Sequence, residues 1–224
     1  LSGKLWTAPF GKYTGTAPGM GVLTKNFCGV FDGNGKTISG MTIVSDGNED
    51  TDYYLGLFAT LDVFGTIKNL TLTGSQIYLT SNPHTFAGLI VGRCSGALDG
   101  VKVEDSSIHS DGASGIGGLV GGASVPSESS ATAIISNSHV KNVNITIDRS
   151  TPNLSTMKVG GVVGDVSSSF KMANVWASGL INSNVDDNIT LSGLIAASAI
   201  TGDTLYVDNC YSLMNITDTG RYYE

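Results

Sequence analysis

Short runs of alternating apolar and polar residues, four to six positions long, recur down this chain, and Gly, Asn, Ser and Asp separate them. Alternation with a period of two, enriched in β-branched residues and bounded by turn formers, predicts strands; no segment sustains a helical period. The runs come in a fixed order. A first block places Gly before apolar residues: Leu55-Gly56-Leu57-Phe58, Ala87-Gly88-Leu89-Ile90, Gly117-Gly118-Leu119-Val120, Gly160-Gly161-Val162-Val163 and Ser192-Gly193-Leu194-Ile195. Between the second residues of these quartets the steps are 32, 30, 43 and 32 residues, so one step carries an insertion, and Cys28-Gly29-Val30-Phe31 stands as a weaker member 27 residues before.

A second block follows, apolar, any residue, then Asn or Gly: Ile67-Lys68-Asn69, Leu98-Asp99-Gly100, Ile135-Ser136-Asn137, Met172-Ala173-Asn174 and Val207-Asp208-Asn209, with Ile38-Ser39-Gly40 read as part of the series. Seven or eight residues later comes a third apolar element, at Ile77, Ile108, Ile145, Ile181 and Ile216. Parallel strands in α/β folds are joined by long, usually helical crossovers, so helix-free repeats of about 30 residues argue against those folds. Coiling satisfies the pattern. The expected fold is all-β, a right-handed parallel β-helix, or solenoid, of about six degenerate coils over residues 27–224, with 1–26 as an N-terminal cap or partial coil. Gly56, Gly88, Gly118, Gly161 and Gly193 are expected at equivalent places. Leu57, Leu70, Leu72, Leu89, Val101, Val103, Leu119, Val140, Val162, Val175 and Leu194 are expected to point inward, and Asn is expected to stack on Asn at the turns. An antiparallel sandwich would also suit many short strands, but it gives no reason for a three-part motif in fixed order.

The segments Gly117-Gly118-Leu119-Val120-Gly121, Asn174-Val175-Trp176-Ala177-Ser178-Gly179, Asn209-Cys210-Tyr211-Ser212 and Phe31-Asp32-Gly33-Asn34-Gly35-Lys36-Thr37-Ile38 resemble the GLUG-motif repeats of bacterial surface proteins, over roughly residues 27 to 217. The resemblance implies a right-handed β-helix in an exported protein, as in adhesin-like chains and the non-catalytic part of some immunoglobulin A-specific metallopeptidases. The zinc helix of those peptidases, His-Glu-x-x-His, is absent: His84, His109 and His139 stand alone, none beside a Glu.

Composition narrows the partners. Twelve Lys and Arg against nineteen Asp and Glu give a net charge of −7, which opposes binding to a phosphate backbone, so no nucleic acid partner is expected. Cys28, Cys94 and Cys210 lie far apart without a CxxC, supporting neither a zinc site nor a disulfide framework. No apolar run approaches the ~20 residues that cross a bilayer as a helix; the richest, from Leu191 to Ile200, is broken by Ser and Gly. The chain opens on Leu1, consistent with removal of a leader or with an excerpt from a larger protein with flanking domains.

Parallel β-helices also carry polysaccharide lyases and glycoside hydrolases, which use clustered carboxylates with Lys or Arg. Here Asp186-Asp187 is the one paired aspartate and reads as a solvated turn, while Arg93, Arg149 and Arg221 occupy no recurring position. Asp32-Gly33-Asn34-Gly35 reads as a tight turn. The stretch from Asp46 to Asp52 has oxygen ligands at alternate positions, yet reads as a solvated acidic loop. No metal and no cofactor is therefore expected. Polar excursions at Ser127 to Ala131 and Arg149 to Asn153 are surface loops.

The sharpest site expectation comes from register. In the second block the residue two after the Asn or Gly should face outward, giving Thr42, Thr71, Lys102, His139, Trp176 and Tyr211 as one stripe. Exposed Trp and Tyr beside a His form an amphipathic platform suited to a sugar ring or a protein partner. The expected function is a secreted or cell-surface bacterial module, non-catalytic, for adhesion, glycan or host-surface binding or structural display, with His139, Trp176, Tyr211 and Lys102 as its binding residues. A polysaccharide-active enzyme is the alternative, and three or more carboxylates converging with a Lys or Arg would favour it.

Overall fold

The computed structural model describes residues 4–5, 26–45, 54–79, 85–126, 129–148, 156–185, 188–197 and 203–220. Most of the expected cap over 1–26, the Asp46–Asp52 stretch, Ser127, Glu128, Arg149 to Asn153 and Asp186-Asp187 fall outside them. All described secondary structure is strand, and every strand pairing is parallel. The chain is a parallel β-solenoid, and an antiparallel sandwich is excluded.

Each turn visits three faces. The first face stacks Tyr54–Leu55, Phe86–Gly88, Gly115–Gly117, Met157–Gly160 and Ile189–Ser192; the second stacks Phe58–Leu61, Val91–Cys94, Val120–Ala123, Val163–Val166 and Ile195–Ala197. The long third face carries the second and third sequence blocks, for example Thr66–Thr73 with Gln76–Leu79 and Trp176–Ser183. Among the described residues these faces make five complete turns rather than six. Before them lies a partial coil, Val30–Ser39 and Met41–Val44 on the long face, with Phe27 bridging Leu61. Lys4–Leu5 extends the stack in parallel beside Met41–Thr42.

The core is the tube between the faces. Ten of the eleven expected inward residues are buried, including Leu57, Leu89, Val101, Leu119 and Val140 at 0% exposure. Leu194, in the last turn, is half-buried. Ile77, Ile108, Ile145, Ile181 and Ile216 align rung by rung, so like packs on like. Alternate residues of a strand point to opposite faces, which explains how one period-two pattern fills a closed interior.

Three register expectations are corrected. On the first face Gly56 aligns with Gly88, Gly117 and Gly160, whereas Gly118, Gly161 and Gly193 come one position later. The first turn has one corner residue fewer than the others, Leu55 and Phe58 pairing with Ala87 and Val91, so counted back from the second face Gly56 stands with Gly118, Gly161 and Gly193 and Gly88 is the displaced member. Stacking at this corner is close enough to exclude a side chain, since a Cβ on Gly118 would lie 2.4 Å from the Gly161 carbonyl oxygen. Ile38-Ser39-Gly40 is not a second block, because Phe31 pairs with Ile67 and Ile38 with Leu72. The partial coil instead makes that corner with Gly33-Asn34-Gly35, an irregularity between Asp32 and Lys36. Cys28-Gly29 likewise is no first block: Gly29 accepts from Thr66 as Gly65 accepts from Ala97, so it leads into the long face.

The long face bends at two ladders of positive φ. One contains Asn69, Gly100, Asn137, Asn174 and Asn209, and the other Gly40, Gly74, Asp105 and Asn142. Asn and Asp tolerate this conformation because their short polar side chains bond locally, and Gly because it has no Cβ. In the first ladder the amides link coils: Asn209 donates to Asn174 at 2.8 Å and Asn137 to Asp99 at 2.8 Å. Serines finish the corners, as Ser75 and Ser106 each accept a backbone N–H from the preceding coil while donating to the carbonyl two residues back.

Candidate functional site

The first positive-φ ladder sets the phase of the strand that follows it, and the residue two positions on turns outward. Thr37, Thr71, Lys102, His139, Trp176 and Tyr211 pair in sequence across six coils. Thr37 replaces Thr42, which pairs with Gln76 on the next strand, a consequence of the corrected register in the partial coil. The structure therefore brings Lys102, His139, Trp176 and Tyr211 together in one row.

Each ring stacks on the next. His139 and Trp176 have centroids 4.6 Å apart and planes 18° apart; Trp176 and Tyr211 are 6.0 Å apart and nearly coplanar in orientation, at 5°. Parallel strands stack ~4.8 Å apart, so residues on the same rung position are already at stacking distance. Trp176 thus turns one face to His139 and the other to Tyr211 and shows solvent its edge. This differs from the flat platform expected: ring faces are spent on neighbouring rings, and the row presents edges and polar atoms. Tyr211 is 52% exposed, while His139 and Trp176 are half-buried.

One partner was not legible in the sequence. Glu104 places Oε1 2.9 Å from His139 Nε2, its strand neighbour Lys102 being the residue that pairs with His139. The contact fixes the imidazole against Trp176 and joins the aromatic part of the row to a charged part. The signal for it was present, since a residue two positions along a strand shares the same outer face. At the far side of that face His109 lies 3.6 Å from Asp111 and its ring neighbours Tyr78.

Among the described residues no group of three or more His, Cys, Asp or Glu side chains gathers as a metal site. No described helix is long and apolar enough to cross a membrane. No family model matches the chain, and no solved structure matches it. It is similar to a protein of Evansella cellulosilytica provisionally described as a Gly-rich membrane protein, with 36% identity over 86 residues. That alignment takes in 38% of this chain and 9% of the relative's length.

Proposed function

We propose that this chain is a non-catalytic repeat module of a bacterial secreted or cell-surface protein of the GLUG-motif kind, and that it holds a cell-surface partner, protein or glycan, along the row from Lys102 to Tyr211. The observation that carries this reading is the row itself: Lys102, His139, Trp176 and Tyr211 stand at one outer position in four successive coils. Core packing needs nothing from outer positions, and the Trp and Tyr of this line are among the residue types that dominate interface energetics. Edges rather than ring faces point outward, which favours a partner lying along several rungs over a single stacked sugar ring. The fold agrees with display, because a solenoid offers long, straight, repetitive surfaces. Similarity to a Gly-rich protein described as a membrane protein supports a surface setting.

The test is to screen the labelled chain against arrayed glycans and immobilised host-surface proteins, then compare Trp176→Ala and Tyr211→Ala with the parent. Loss of binding of about tenfold or more, with an unchanged β-sheet circular dichroism spectrum, is expected for a residue at the centre of an interface. Unchanged binding by both folded variants removes the row as the binding face.

A further inference from the structure

The first and second faces meet at the Gly corner, and the residues lining the crease between them form two more rows. One runs Tyr54, Phe86, Gly115, Lys158 and Thr190; the other runs Thr60, Arg93, Gly122 and Asp165. The rows touch across the crease. Arg93 Nη1 donates to the Tyr54 hydroxyl at 3.3 Å with its guanidinium 5.8 Å from the Tyr54 ring centroid, and Lys158 Nζ lies 3.4 Å from Asp165 Oδ2.

Between these contacts the third turn contributes glycine to both rows. Gly115 and Gly122 leave a notch, and Phe86 packs into its wall: a Cβ on either glycine would come within 2.7 Å of the Phe86 ring. The cavity there has a volume of about 190 Å³, bordered by Tyr54, Phe86, Arg93, Ser124, Asp165 and Ser167. Since one water occupies ~30 Å³ of liquid, this space suits one ring-sized group rather than an extended chain.

Charge is uneven across the notch. Arg93 donates Nε to the Ser124 hydroxyl at 2.8 Å and Nη1 to Tyr54, both neutral, and no carboxylate among the described residues pairs with it. Asp165, on the opposite wall, is already held by Lys158 and is 8% exposed. An Arg fork facing a cavity recognises a planar anion, an aromatic wall takes an apolar ring face, and a carboxylate opposite accepts hydroxyl donors. A dianion would meet Asp165 and a net charge of −7.

We propose that this notch binds a carboxylate carried on a hydroxylated ring, a uronic acid unit of an acidic polysaccharide, with the acid on Arg93, the ring against Phe86 and a hydroxyl toward Asp165. The site lies on different faces from the row through Trp176 and goes beyond that reading. The probe is D-glucuronate, titrated by calorimetry or ligand-observed NMR against methyl glucoside and sulfate. The parent chain should bind glucuronate at millimolar concentrations and prefer it over both controls. Arg93→Gln, and Ser167→Leu, which fills the mouth at an exposed position while leaving Arg93 intact, should each weaken binding by about tenfold or more, the worth of a lost charge-assisted hydrogen bond. Trp176→Ala should bind glucuronate unchanged, which separates this site from the long-face row. The proposal is overturned if the parent shows no binding at tens of millimolar, if methyl glucoside or sulfate binds as well, or if folded Arg93→Gln and Ser167→Leu bind like the parent.

Discussion

Asn174 donates from its side-chain amide to the side-chain oxygen of Asn137, 3.0 Å away, although 37 residues separate them in the chain. Asn209 repeats the bond onto Asn174 and Asn137 donates to Asp99, so the amides of Asn137 and Asn174 both give and receive. The same residues hold φ near +50°, at 50° for Asn137, 56° for Asn174 and 47° for Asn209. Two demands meet in one side chain: a backbone bend that most residues resist, and a lateral bond that joins coils.

Separating those demands gives the first prediction. Asn174→Ala keeps a Cβ in left-handed geometry but removes the local polar side chain that lets Asn tolerate it, which costs up to ~1–2 kcal/mol; the lost hydrogen bonds add ~0.5–1.5 kcal/mol. Asn174→Gly removes the amide together with the Cβ, so the hydrogen bonds are lost but the left-handed bend is unstrained. Urea unfolding should rank the parent above Gly and Gly above Ala by about 1 kcal/mol. Equal losses for the two variants would show that the bend carries no strain.

Leu119 is fully buried at the corner between the first two faces. Leu119→Ala should cost about 2–5 kcal/mol, because the neighbouring coils are fixed by their own ladders and close only partly over the gap. A measured loss under ~0.5 kcal/mol, the size of a surface substitution, would place the side chain outside the tube.

Two of the three thiols, Cys28 and Cys94, should differ in reactivity. Cys94 is buried and its pKa rises from 9.0 to about 12, the loss of hydration outweighing a hydrogen bond to the Gly96 carbonyl. Cys28 is exposed. Under native conditions a thiol reagent should modify Cys28 quickly and Cys94 only after unfolding. The sign of the linkage follows: the unfolded chain loses the Cys94 proton first, so stability falls as pH rises from 9.0 toward about 12, and Cys94→Ala should abolish that part of the alkaline loss. A Cys94 that reacts as fast as Cys28 would contradict its place in the core.

Asp32 should mark the acid side. The backbone N–H of Asn34 lowers its pKa most, followed by the amide of Asn69 and the ammonium of Lys68, 3.4 Å away. A depressed folded value means that its stabilising contribution is complete above the ordinary value of 3.8 and disappears as pH falls through the lower folded value. Carboxyl NMR should give a midpoint below 3.8 for Asp32, and Asn69→Ala should move it upward.

What the sequence made legible was whatever stacking repeats. A residue buried between two like coils has the same neighbours in each, so Ile77, Ile108, Ile145 and Ile181 advertise one shared environment through one shared chemistry. Corners were harder. Gly and Asn serve both positive-φ ladders, so Gly40 by itself did not reveal that it belongs with Gly74 rather than with Asn69, and Thr42 entered the outer row in place of Thr37. Ring orientation in the row was also hidden, because it depends on what the next coil places at the same rung. The crease escaped notice for a related reason: Thr60, Arg93, Gly122 and Asp165 share a position but no residue type. Arg93 does occupy a recurring position, one that repeats in space without repeating in letters.

Val91 pairs with Val120 across 29 residues, and Val120 with Val163 across 43, yet both pairings are the same single step along the stack. The loops that leave the faces absorb the difference. Distance along the tube is therefore counted in rungs of ~4.8 Å and is decoupled from distance along the chain. The surface behaves as a ruler whose graduations survive lengthening or shortening of the connectors, and adding or removing one whole coil would slide every mark beyond it by a single division without redrawing any of them.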